Sequence, residues 1–193
     1  MYSSKLFGTR TYLIGAMDRV KDGGTTWRNM ITPVLHKLGV IVFDPCKKPT
    51  FGKGIEDDKI RAEINDLKRA GKYDEVDQLV RPTRVIDLRM VDISHFIVCN
   101  IDMSVHACGT YEELFLANRE KKPIIVHCEQ GKSACSNWLF GTIPHEHIFG
   151  NWSDLVLYLN DIAYGIDTRL FNRWTFFDLQ KITNEMLAVY NEN

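Results

Sequence analysis

Cys108-Gly-Thr-Tyr-Glu-Glu-Leu-Phe-Leu-Ala117 sets two adjacent carboxylates shortly after a Gly-Thr pair and ahead of a run of helix formers. Lys122-Pro-Ile-Ile-Val126 follows, an apolar run of strand type. Two readings of the glutamates are open. Thr110-Tyr-Glu-Glu113 matches the capping box, in which Thr110 accepts from the amide of residue 113 and Glu113 reaches back to the amide of residue 110. Alternatively, one glutamate does chemistry beside a strand end. Adjacent helical residues point about 100° apart, at about 3.6 residues per turn, so only one of the pair can face a site. Thr110 and Ala117, at i−3 and i+4, share the face of Glu113. Cys108 and Gly109 are small enough to leave open space there.

A second constellation lies near the N-terminus. The run 12–17, YLIGAM, ends at Gly15, where close approach of backbone to a ligand calls for a residue without a side chain. Asp18, Arg19 and Gly23-Gly24-Thr25-Thr26 come next and open a helix. Amides at a helix N-terminus, together with an arginine, can hold an anion such as a 5′-phosphate. An ordinary Gly-Gly loop with a threonine cap is the plain alternative, since the stretch is neither G-x-x-x-x-G-K-[ST] nor G-x-G-x-x-G. Among the aromatics, Phe43 and Phe51 flank the end of the second strand and are the better candidates for a base pocket. Trp27, Trp138 and Trp152 could also stack on a base, although most aromatics at such spacing are core.

The elements that must position these groups alternate. Strands are predicted at 10–17, 40–45, 95–102, 123–128 and 147–150. Helices are predicted at 25–39, with Pro33 imposing a kink or a late start, at 82–94 behind Pro82, at 109–121 and at 151–165. The stretch 129–145 reads as loop. Residues 55–80 are highly charged and read as two solvated helices broken at Gly71, within an insert at about 52–80. A last helix is predicted at about 174–191. Alternating strands and helices give one α/β domain over 1–193, of flavodoxin/Rossmann-like type, with a mostly parallel sheet of about five strands flanked by helices. Ligands in such sheets sit beyond the carboxyl ends of the strands, where both constellations fall.

Composition narrows the function. The chain has 193 residues, 45% of them hydrophobic and 25% charged, which suits a soluble globular protein. A net charge of −1 without a long basic run gives no support to nucleic-acid or membrane-surface binding. No apolar run is long enough to span a membrane, and none reads as a signal peptide. Cys46, Cys99, Cys108, Cys128 and Cys135 are odd in number and lack C-x-x-C spacing, which predicts free thiols and a reducing, cytoplasmic setting. His106, Cys108, His127 and Cys128 are poorly spaced for zinc. No metal and no cofactor are anticipated.

Three segments in order resemble the nucleoside 2-deoxyribosyltransferase family and the related nucleotide N-glycosidases. G-T-x-x-E-L-x-x-A at 109–117, followed by K-P-I-I-V, resembles the family's active-site segment. YLIGAM resembles its Y-L-A-G-P opening, and IDLRMVDISHFIVCNID at 86–102 its D-L-x-x-I-x-x-(A/S)-D-x-(V/I)-V segment. A weaker echo falls at 147–165. The resemblance covers roughly 10–127 without the insert. It implies that a carboxylate attacks C1′ of a 2′-deoxynucleoside and expels the base, leaving a deoxyribosyl-enzyme that a second base or water resolves. The family's nucleophile lies four residues after the glycine, which is Glu113 here. A second carboxylate assists the leaving base, and Asp87 matches it. Gly15, Asp18, Arg19, Phe43, Phe51, His106, Gly109 and Thr110 become candidate substrate-binding residues.

The chain departs from the family twice. Ala107 and Cys108 stand where many members carry a ribose-binding aspartate before the glycine, which leaves His106 as a substitute contact. His95 stands in place of the usual aspartate of the third strand and reads as a strand-start residue. Partners implied are a small nucleoside or nucleotide and a nucleobase, with no nucleic-acid polymer and no membrane; by resemblance the chain is a homo-oligomer. Three functions compete: transfer of deoxyribose between bases, hydrolysis of nucleoside 5′-monophosphates, and nucleotide binding without turnover. A flavodoxin-like electron carrier lacks support, because the first loop has no Ser/Thr-rich phosphate cradle.

Overall fold

Phe96–Ile101 and Ile124–Cys128 are buried at every residue, and this places them in the middle of a sheet covered on both faces. The computed structural model describes residues 4–48, 56–165, 173, 174, 176 and 177. Its strands are β1 (Arg10–Gly15), β2 (Ile41–Phe43), β3 (Phe96–Ile101), β4 (Ile124–Cys128) and β5 (Ile148–Phe149). They pair in the order β2-β1-β3-β4-β5, and every pairing is parallel. This is the flavodoxin-like order. The chain steps from β1 outward to β2, then returns past β1 to β3. The crevice between the ends of β1 and β3 is therefore the switch point at which such sheets bind ligands.

Alternation along the strands sorts side chains between two cores. Leu13, Phe96, Val98 and Ile125 face α1 (Thr25–Lys37) and α6 (Trp152–Tyr164), packing with Ile31, Leu35, Leu155 and Leu159. Tyr12, Ile14, Ile97, Cys99 and Val126 face the other way. They meet Met90 and Val91 of α3 (Tyr73–Ile93), Leu114 and Ala117 of α4 (Cys108–Arg119), and Leu139 of α5 (Asn137–Thr142). Fully burying a leucine such as Leu114 stabilises by about 1.5–3 kcal/mol. That packing clamps α4 against the sheet at the switch point. Lys121, at φ 58, and Pro123 end α4 and turn the chain into β4.

The charged segment forms α2 (Asp58–Arg69) and the first half of α3, with Gly71 at φ 72 between them. Pro82 does not start a helix as the sequence suggests; it sits inside α3, which runs unbroken for 21 residues. Pro33 likewise sits inside α1. Both prolines are exposed, as are Gln78 and Asn29, whose carbonyls each proline leaves without an i+4 donor, so water can satisfy them. The stretch 129–145, which reads as loop, contains the short helix α5. Most of the helix anticipated at about 174–191 lies outside the described residues, as does Phe51. Among the described residues, no helix is long and apolar enough to cross a membrane.

Candidate active site

A cleft of about 370 Å³ opens beyond the carboxyl ends of the strands, between β1 and the start of α4. Eight residues named from the sequence line it: Gly15, Asp18, Arg19, Asp87, His106, Gly109, Thr110 and Glu113. They come from three stretches of the chain, 15–19, 87 and 106–113, and the fold brings them together. Phe43 is not among the lining residues. It is half-buried and packs against the core between the sheet and α3–α5, because β2 is an edge strand whose end turns that ring inward.

The capping box does not form. Helix α4 begins at Cys108, Ala107 is its capping residue, and no side chain caps it. Thr110 and Glu113 thus lie beyond the positions a capping box needs, and Glu113 is turned into the cleft. The hydroxyl of Tyr12 donates to its Oε1 at 3.0 Å. Glu113 is only 9% exposed, and Thr110 and Ala117 are buried on the same face. Glu112 points out and pairs with Arg84 of α3, whose Nε donates to its Oε2 at 2.9 Å. Nothing approaches a side chain placed at Gly109, so the space beside Glu113 is open.

The electrostatics follow from burial. Burial and then the charge of Asp87 push the Glu113 carboxyl up to about 8, against the pull of the Tyr12 hydrogen bond and Arg28. Burial also pushes Asp87 up to about 6, while Lys48 pulls it down and Glu56 pushes it further up. Tyr12 is held well above its usual value by burial and by the charges of Glu113 and Asp87, so its hydroxyl remains a donor. Near neutral pH those values leave the pair with one proton, resting on Glu113, and the two carboxyls influence each other's titration through their charges. That arrangement can supply one carboxylate as nucleophile and one acid as proton donor.

Gly15 lines the cleft, but the need for glycine there comes from packing. A Cβ at Gly15 would lie 2.9 Å from the Asn100 carbonyl oxygen and 3.0 Å from the Trp27 ring. Arg28, fully buried, pins this corner by donating to the carbonyls of Leu13, Gly15 and Gly24. The start of α1 differs from an open anion site. Asp22 Oδ1 accepts from the Gly24 amide and Oδ2 from the Thr26 amide, at 3.0 and 2.9 Å. Hydrogen bonds from Thr26, and then from the Gly24 amide, hold Asp22 down to about 2. The chain's own carboxylate fills the place a phosphate would take, and Asp22 rather than a threonine caps the helix. Arg19 is exposed at the cleft with φ 64 and has no ion-pair partner among the described residues. His95 lies at the opposite end of the sheet, where its Nδ1 accepts from the Arg10 amide. Among the described residues, no cluster of three or more His, Cys, Asp or Glu could hold a metal.

Sequence reasoning missed Tyr12, Lys48, Glu56 and Arg28. Tyr12 sits in an apolar strand, and only strand register shows which face it takes. Lys48 lies in a connection with no periodicity to read, and Glu56 falls at the start of the charged stretch that reads as solvated helix. Arg28 had a faint signal, four residues after Gly24 in α1.

No protein-family model matches the chain, and no curated protein is similar to it in sequence. Solved structures do resemble it. A 2-deoxyribosyltransferase from the psychrotolerant bacterium Bacillus psychrosaccharolyticus superposes with a TM-score of 0.51 at 17% identity, over 84% of this chain and 96% of that one. The 2-desoxiribosyltransferase from Leishmania mexicana gives 0.43 at 14% identity over 64% of this chain, which spans 66% of the L. mexicana chain. The Clostridium botulinum CMP N-glycosidase BcmB gives 0.44 at 13% identity, over 79% of this chain and 98% of that one. This chain has the fold of the B. psychrosaccharolyticus enzyme: a five-stranded parallel sheet flanked by helices.

Proposed function

We propose that the cleft breaks the N-glycosidic bond of a 2′-deoxynucleoside and passes the sugar to another base. The observation that carries this reading is the placement of Glu113: buried at the switch point, hydrogen-bonded to Tyr12, and sharing its cleft with Asp87. The sequence motifs and the fold shared with a 2-deoxyribosyltransferase support it.

A Glu113 carboxylate oxygen attacks C1′ as the C1′–N bond breaks, and the bonding pair leaves with the base. Asp87 gives its proton to that base, because a purine or pyrimidine anion is a poor leaving group. The products are a deoxyribosyl ester of Glu113 and a neutral base. An acceptor base then attacks C1′, returns its proton to Asp87 and frees Glu113, so configuration is retained. Tyr12 holds Oε1 and leaves Oε2 for attack. The positive charge that develops on the sugar favours ionisation of Glu113 as the proton passes to Asp87. Gly109 gives the sugar room, Thr110 lines the floor, and His106 and Asp18 are polar contacts at the rim.

Incubation with each 2′-deoxynucleoside and its 5′-monophosphate, with and without a second free base, tests this reading. Chromatography should show base release and exchange. No base release from any of them would overturn it.

Hydrolysis of a nucleoside 5′-monophosphate is the second reading, and Arg19 favours it as an exposed cation at the cleft. Asp22 weighs against it, because the start of α1 is already capped by a carboxylate.

A further inference from the structure

The Lys48 side chain is 3% exposed, and its ammonium lies 2.6 Å from Glu56 Oε2 and 2.7 Å from Asp87 Oδ1. The contact with Glu56 is a hydrogen bond, whereas the contact with Asp87 is an ion pair without hydrogen-bond geometry, and the buried Asp87 Oδ1 has no hydrogen-bond partner among the described residues. Lys48 does not line the cleft beside Glu113; it lines a neighbouring pocket together with Lys21, Cys46 and Arg61, while Glu56 lines both and Asp87 the first. Glu56, Lys48 and Asp87 therefore form a row in the wall between the two spaces. A buried ammonium against Oδ1 draws that oxygen toward the wall by charge and leaves Oδ2 as the oxygen not held by Lys48. Alone, it would also favour the anion, which cannot donate a proton. Glu56, on the other side of the ammonium, offsets that charge.

We infer that Lys48 and Glu56 are positioning residues, with Lys48 aiming the Asp87 carboxyl and Glu56 cancelling enough of the lysine's charge for that carboxyl to carry a proton. The catalytic part of this inference rests on Asp87 acting as the proton donor. The groups that face Asp87 are Tyr12 from β1, Glu113 from α4, and Lys48 and Glu56 from the β2–α2 connection. Arg84, on its own helix, is committed to Glu112. The other charged or titratable groups lining the cleft are Asp18, Arg19, Arg28, His106 and Cys108. Two partners of one ion pair then have opposite effects on a third group. Removing Lys48 takes away attraction and should raise the pH at which Asp87 titrates. Neutralising Glu56 takes away repulsion and should lower it.

The test is carbon-13 NMR of the aspartate carboxyls, with the Asp87 signal assigned by its loss in Asp87→Asn. Relative to wild type, the Asp87 midpoint should rise in Lys48→Met and fall in Glu56→Gln, by about one pH unit each, and stay near wild type in Lys48→Arg. In turnover, kcat should fall about tenfold in Lys48→Met and Glu56→Gln while KM moves less than about threefold, as loss of orientation rather than of binding requires. Midpoints that move together, or not at all, overturn the inference. Opposite shifts in a protein that releases no base from any substrate leave the electrostatic arrangement standing and remove the glycosidic reading. Normal base release with unmoved midpoints does the reverse. Should Lys48→Met fail to fold, Glu56→Gln alone decides, because only a downward shift agrees.

Discussion

The charged arm and the cleft use the same residue types to opposite ends. On α2 and the first half of α3, acids and bases pair at i,i+3 or i,i+4 with half or more of each side chain in water: Asp66 with Arg69, Lys72 with Glu75, Asp77 with Arg81. Pairs of this kind contribute about 0.3–0.5 kcal/mol each. At the cleft, Glu113, Asp87 and Glu56 line the space and Lys48 sits in the wall between Asp87 and Glu56, all largely out of water. There burial raises the carboxyls of both Glu113 and Asp87, so the group of charges costs stability, as such groups do at functional sites. Helix α3 belongs to both regions: its exposed first half is solvated, and its second half delivers Asp87. Water, rather than composition, decides which behaviour a carboxylate shows.

The largest expected effect falls on Glu113. Glu113→Gln should lower base release by about 10⁴-fold or more, as loss of a nucleophile does. Near-normal turnover in that variant would erase the distinction between cleft and arm. Asp87→Asn should cost about 10²–10⁴-fold, the range of a lost proton donor. The pH dependence of kcat/KM for the wild type should be bell-shaped with limbs near 6 and 8, because the singly protonated pair is the working form. A flat profile across that range would contradict the singly protonated pair.

Stability sharpens the contrast further. The folded Glu113 titrates near 8 against an ordinary 4.5, so the folded protein binds more protons than the unfolded chain between those values. Stability is therefore highest at the acid end of that window and falls as pH rises through it. Glu113→Gln removes the buried charge. Thermal melts should show it more stable than wild type at pH 9, by on the order of 2–4 kcal/mol, and little changed at pH 5. Equal melting differences at both pH values would mean Glu113 is not held above its usual range. Glu112→Gln is the smallest effect. It cuts an exposed pair with Arg84, so turnover should hold and stability should change by less than about 0.5 kcal/mol in a denaturant titration.

The strands, their parallel sheet and the helix behind Gly109 were legible because each is a run of one pattern. The meeting of Glu113 and Asp87 in one cleft was legible because order and spacing survive in sequence. Tyr12 was hidden: a tyrosine in an apolar strand reads as core until the register assigns it a face. Lys48 and Glu56 were hidden because Asp87, which Lys48 meets, is far along the chain, Lys48 lies in a loop, and Glu56 opens a charged stretch that reads as solvated. Pro82 misled in a definite way. Its exposure lets water take the orphaned carbonyl, and α3 continues where the residue type alone predicts a start. Gly15 was named correctly as a lining residue for the wrong reason, since the close approach there is from Asn100 and Trp27.

The covalent intermediate is the most direct test of the account. Wild-type protein mixed with a 2′-deoxynucleoside, without an acceptor base, and quenched with acid should yield one deoxyribosyl adduct. Peptide mass spectrometry should place that adduct on Glu113 and find none in Glu113→Gln. Base release without any adduct, or an adduct on a different residue, would contradict the assignment of Glu113 as the nucleophile.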